Sequence, residues 1–304
     1  MKKQSKVQRI IYRTLIILGF CLIAYPFISQ MYYNHVTKQE NQSFINTAKK
    51  QSMTEINEKI KLAKYYNQSL NPRKITDPFS SNEKQGRENY AKMLELHEMI
   101  GSVEIPSINQ DLPIRAGTSE YVLQKGCGHL EGTSLPVGGK NTHTVITAHR
   151  GLPNAKFFTD LDKLKVGDKF YIHNIKQTLA YKVTNIQTVK PDNFKPILIQ
   201  PNKDLATLLT CTPYMINSHR LLVTGERVKY DPRAKEKNQV TFYRNPEYKL
   251  LIILLIFLLF YIVRIRKKRK RKVGYTNKKK NNGINHCKYR SIHYDYPFVT
   301  DSNE

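Results

Sequence analysis

Cys211 closes an apolar, β-branched run that begins at Leu205, and Arg220 opens a second such run that continues to Val228. The polar, proline-containing segment between them reads as the loop of a β-hairpin. Such a hairpin puts Cys211 and Arg220 at the same end of two adjacent antiparallel strands. That pairing has chemical content, because the thiolate is the nucleophile and a fixed positive charge nearby favours it over the thiol. His149 ends a third strand-like run, Thr142 to Ala148, where the chain breaks into a loop containing Gly151 and Pro153. A cysteine at a strand end is ordinarily a small buried hydrophobe. The histidine and arginine at other strand ends are what point to nucleophilic catalysis.

These ends need a scaffold to gather them. Ser102–Ile105, Leu112–Ile114, Thr142–Ala148, Lys169–Ile175, Leu179–Val189, Ala206–Cys211 and Arg220–Val228 are short strand-like runs punctuated by Pro, Gly, Asn and Asp. Their spacing suits a closed, mostly antiparallel barrel, although composition alone does not separate a barrel from a sandwich. Glu88 to Ile100 has the spacing of a short amphipathic helix closed by Gly101. Upstream, residues 31–70 carry apolar positions such as Phe44, Ile45, Ile56, Ile60 and Ala63 at helical intervals, with Asn71-Pro72 as a terminator.

The two ends of the chain do not fit a soluble core. Thr14 to Ile28 is almost wholly apolar and follows a basic flank, so residues 10–29 approach the roughly 20 residues a bilayer requires. No small-x-small cleavage site follows, which argues for an anchor over a removed signal peptide. Leu250 to Val263 is a second apolar run, and the block Arg264 to Lys272 behind it marks a cytoplasmic side. Much of the net charge of +26 sits in the tail from Arg264 to Lys280, which explains it without nucleic acid. The four cysteines, Cys21, Cys127, Cys211 and Cys287, lie in four different contexts with no CxxC or His/Cys ligand spacing, so neither a disulfide framework nor a metal site is expected.

Thr207-Leu208-Leu209-Thr210-Cys211 resembles the TLxTC signature of sortases, membrane-bound cysteine transpeptidases of Gram-positive cell surfaces. Thr147-Ala148-His149-Arg150-Gly151 is similar to their histidine motif, and Asn217 to Val223 to the arginine strand of the pilus-assembling class C branch. The Gly126 to Gly139 stretch resembles the class C glycine-rich loop, with Cys127 as a packing substitution for an aliphatic residue. Met215 departs from the pattern, standing where glycine is more common.

This resemblance implies an eight-stranded sortase barrel with short helices, preceded by a helical stem and lid and flanked by two transmembrane helices. Its expected organisation is a cytoplasmic N-terminus and span at 1–30, a stem at 31–100 and the catalytic barrel at 101–230. A linker at 231–247, a second span at 248–265 and a basic cytoplasmic tail at 266–304 complete it. It implies Cys211 as nucleophile, His149 as acid and base, and Arg220 as oxyanion stabiliser, with no cofactor. Neither His129 nor His143 matches the family's catalytic position. Asp77-Pro78-Phe79 matches the Asp-Pro-aromatic lid of class C, its carboxylate facing the arginine and its ring over the cysteine. The implied partners are LPxTG-bearing pilins, the membrane and a cell-wall precursor. The implied reaction is pilin joining through a thioacyl enzyme, with attachment of surface proteins to peptidoglycan as the alternative.

Overall fold

A computed structural model describes residues 6–70, 94–96, 98–152 and 155–232, together with 252–253, 256–257, 259–261, 263–264 and 266–267. It divides into two compact units, Met1–Asn245 and Pro246–Glu304. In the second, the described residues, all within or just beyond the expected span at 248–265, are helical.

The first unit begins with helix α1, Lys6–Lys50, which joins the expected membrane segment and the start of the stem into one element. At a rise of about 1.5 Å per residue it is about 67 Å long. Its first half shows apolar side chains on all sides, including Ile10, Leu15, Leu22 and Ile28, all exposed. Among the described residues it is the one helix long and apolar enough to cross a membrane. Beyond residue 33 the pattern becomes one-sided: Thr37, Asn41, Phe44 and Ala48 are buried, the i, i+4, i+7, i+11 stripe of a helix docked on a core. Helix α2, Met53–Gln68, starts at a capping box in which Ser52 and Glu55 bond reciprocally to each other's backbone N–H. It buries Ile56, Ile60, Ala63 and Asn67 at the same spacing.

The barrel strands are β1 Gly101–Ile105, β2 Gln110–Ala116, β3 Cys127–His129, β4 Thr142–Thr147, β5 Lys169–His173, β6 Thr178–Val189, β7 Asp204–Thr212 and β8 His219–Val228. They close in the order β1-β2-β3-β4-β7-β8-β6-β5. Most pairs are antiparallel, while β2 with β3 and β4 with β7 run parallel. Inside, Phe170 and Tyr181 stack with centroids 5.5 Å apart, and the Tyr181 hydroxyl donates to Asp204.

Two expectations are corrected. The described residues between 94 and 100 are not helical: Leu96 and Met99 exchange backbone hydrogen bonds around Glu98, whose φ is 64°. Leu94, Met99 and Ile100 are buried against the barrel, so tertiary burial outweighs the local helical period. The glycine-flanked segment expected as a loop contains β3, and helix α3, Glu120–Lys125, precedes it with Ser119 as its N-cap. Cys127 is fully buried in β3, as a packing residue should be.

Candidate active site

The site is assembled by three adjacent strands. Cys211 of β7 lies directly opposite Arg220 of β8. On the other flank, β4 runs parallel to β7 with Thr147 beside Leu209, so two further residues bring His149 level with Cys211. The register continues past the end of β4, because Ala148 N–H donates to the Leu209 carbonyl at 3.2 Å and Thr210 Oγ1 to the Ala148 carbonyl at 2.8 Å. Imidazole, thiol and guanidinium thus come from one rung of neighbouring strands, spaced about 4.8 Å apart in the sheet.

Side-chain alternation sends Cys211 to the same face as Leu209, Arg220 to that of Leu222, and His149 to that of Val145. Leu209, Leu222 and Val145 form an apolar cluster with Leu130 and Ile197, against which Val189, Phe194 and Leu198 pack. An apolar floor therefore leads away from the thiol, walled by the β6–β7 connection. Cys211 and Arg220 are 7% and 8% exposed, so both are shielded from bulk water. Arg220 Nη1 donates to the carbonyls of Asn217 and His219, fixing the guanidinium to its own hairpin.

His149 Nε2 stands 3.3 Å from Glu120 Oε1 of α3. No sequence signal had singled out Glu120, which reaches the site only through the packing of α3. Arg150 was also missed as a functional residue, although it lies inside the histidine motif. Its side chain is 7% exposed and holds three partners: Nη1 donates to Thr212 Oγ1 at 3.0 Å, Nε to the Thr159 carbonyl at 3.2 Å and Nη2 to Asp162 at 2.6 Å. It ties the residue after His149 to the residue after Cys211. Gly151 has φ of 89°, and a Cβ there would lie 3.0 Å from the Tyr214 ring, so glycine lets the two loops touch. Met215 has φ of 66°, in the left-handed region that favours glycine.

His143 and His129 are structural. His143 bonds through Nδ1 and Nε2 to the Leu198 carbonyl and Thr207 Oγ1, six residues along the chain from His149. His129 is buried with Nε2 2.8 Å from the Ser134 carbonyl, and burial pushes its pKa down to about 4. Cys127 and Cys211 are not joined in a disulfide, and burial raises the Cys127 pKa despite Arg115 nearby. Among the described residues no His/Cys/Asp/Glu group has the makings of a metal site. Asp77, Pro78 and Phe79 lie outside the described residues.

A closed barrel with cysteine, histidine and arginine on one rung defines a class, that of barrel-borne cysteine enzymes. Residues 103–228 match the sortase domain model, and the chain belongs to the sortase family. Sortase C-1 from Streptococcus pneumoniae is 56% identical, with a TM-score of 0.62 over 64% of this chain and 100% of that one. The pilus-related sortase C of Group B Streptococcus is 56% identical, with a TM-score of 0.61 over 62% of this chain and 97% of its own. Sortase A of Bacillus anthracis is 30% identical over 135 residues, 44% of this chain and 62% of that protein.

Proposed function

We propose that this chain is a class C sortase: a cysteine transpeptidase that cleaves LPxTG-like sorting signals and joins the released acyl group to a lysine amine of another pilin. The observation that carries this reading is the shared rung of His149, Cys211 and Arg220 on β4, β7 and β8. The Cys211 thiolate attacks the threonine carbonyl carbon, and the electron pair moves to the oxygen, where Arg220 and nearby backbone N–H groups stabilise it. Collapse expels the glycine amine, which takes a proton from the His149 imidazolium and leaves a thioester. Neutral His149 then accepts a proton from the incoming lysine ammonium, whose amine displaces Cys211 to form the isopeptide bond. The apolar floor beyond Cys211 suits the Leu-Pro portion of such a signal, and exclusion of water there favours the amine over hydrolysis.

The sequence similarity to pilus-related sortases supports the pilin substrate, and the N-terminal apolar helix supports anchoring with the barrel outside the membrane. Incubation with an LPxTG peptide and a lysine-bearing pilin should yield a mass corresponding to the thioacyl enzyme and then the branched product, both absent in Cys211→Ala. A Cys211→Ala variant that still formed product would overturn the assignment. Free acid alone in the presence of the amine would indicate a hydrolase.

A further inference from the structure

The catalytic end of the barrel lies next to the emerging membrane helix. Lys156 N–H donates to Gln30 Oε1 at 2.7 Å, and the Phe157 ring meets Tyr33 edge-on at 6.5 Å. The next residue, Phe158, donates its N–H to the His149 carbonyl at 3.2 Å. His149 is therefore joined through two short links to α1 at residues 30–33, whereas the apolar stretch of α1 ends at Ile28. Five residues of helix rise only about 7.5 Å, roughly the depth of one headgroup layer. Further along the chain the contacts move away from that end. Glu40 and Asn41 reach Arg115 and Asp111 of β2, and Asn57 of α2 meets Lys176 in the β5–β6 turn, at the opposite end of the barrel.

At the catalytic end the β7–β8 loop presents Tyr214, Met215 and Ile216, exposed by 50%, 70% and 71%. Two successive apolar side chains in water, Met215 and Ile216, are unfavourable, and the tyrosine beside them is the residue type that bilayer interfaces favour. The Tyr214 ring faces Gly151, two residues after His149, so this tip belongs to the same rim that is tied to α1. We infer that the catalytic rim faces the bilayer and that the Tyr214–Ile216 tip rests in its outer interface, so that the sorting peptide is processed at the lipid surface. This inference rests on α1 crossing a membrane, as proposed above. Here the tip's partner is lipid, with the anchor and the tip forming one continuous membrane-contacting surface.

The chain contains no tryptophan, which makes a direct test available. Leu22→Trp in α1, Ile216→Trp at the tip and Lys140→Trp at the far end of the barrel are made singly in the full chain. Each is reconstituted in phosphatidylcholine vesicles with or without bromine on the acyl chains. Blue-shifted emission that brominated lipid quenches is expected for Leu22→Trp and Ile216→Trp, with water-like, unquenched emission for Lys140→Trp. Quenching of Leu22→Trp but not Ile216→Trp would overturn the tip inference and leave the anchor standing. Blue-shifted but unquenched emission from Ile216→Trp would place protein over the tip and overturn it equally. Loss of quenching at Leu22→Trp would overturn the anchor and the tip together, and quenching at all three sites would remove the orientation.

Discussion

At the scale of single residues, environment decides which thiol reacts. Cys127 is fully buried and its thiolate is disfavoured by desolvation, whereas Cys211 sits at a strand end opposite a guanidinium. Iodoacetamide at neutral pH should label Cys211 and leave Cys127 unmodified, as read by mass after proteolysis; the reverse pattern would reassign the nucleophile. Arg220→Lys keeps the charge but loses the planar fork, so kcat/KM should fall by about two to three orders of magnitude, the scale for removing an oxyanion donor. Arg150 is expected to act through others, since it clamps the chain just after His149 to Thr212 just after Cys211. Arg150→Ala should lower kcat by about ten- to a hundredfold, the cost of displacing reacting groups by about 1 Å. KM should change far less, and Arg150→Lys should restore only part of kcat. Equal losses in stability and no kcat effect in the folded fraction would reduce it to a structural residue.

At the scale of elements, the stem helices act as a brace for the barrel. Asn67 of α2 donates to the Leu135 carbonyl at 3.2 Å and accepts from Leu135 N–H at 2.7 Å, so one buried amide satisfies both backbone groups. Asn67→Ala takes its acceptor from the buried Leu135 N–H, while the Leu135 carbonyl keeps the Val137 N–H, and should cost about 1–3 kcal/mol in denaturant unfolding. Phe44 of α1, 2% exposed, lies in the same core as the barrel interior, and Phe44→Ala should cost about 3–5 kcal/mol. A smaller loss than either would mean that the barrel is stable without its brace.

At the scale of the whole molecule, two buried histidines make stability depend on pH. Burial lowers both, His129 to about 4 from an ordinary value of 6.5. The unfolded chain then binds protons that the folded chain refuses. The stability that neutral His129 protects is complete above about pH 6.5 and declines towards pH 4, by up to about 3 kcal/mol. Urea midpoints measured from pH 7.5 to 4.5 should fall accordingly, and His129→Gln should flatten that slope. A midpoint independent of pH across this range would contradict the burial of both imidazoles.

Local pattern alone disclosed the apolar N-terminal segment, the hairpin from Leu205 to Val228, and the three chemistry-bearing residues at strand ends. Each of these depends on period and turn chemistry within a few residues, which the order of side chains records directly. The hairpin also set Cys211 opposite Arg220, because a short connection leaves its strands antiparallel neighbours. Tertiary structure decided the rest. His149 comes level with Cys211 only because β4 pairs in parallel with β7, some sixty residues away, and such pairing is chosen by burial of sheet faces across the whole barrel. For the same reason the three-residue β3 was invisible, being held by β2 and β4 on either side and not by any propensity of Cys127-Gly128-His129. Glu120, Arg150 and the docking of α1 beside the loop that follows His149 are contacts between segments distant in the chain, and no local period encodes them.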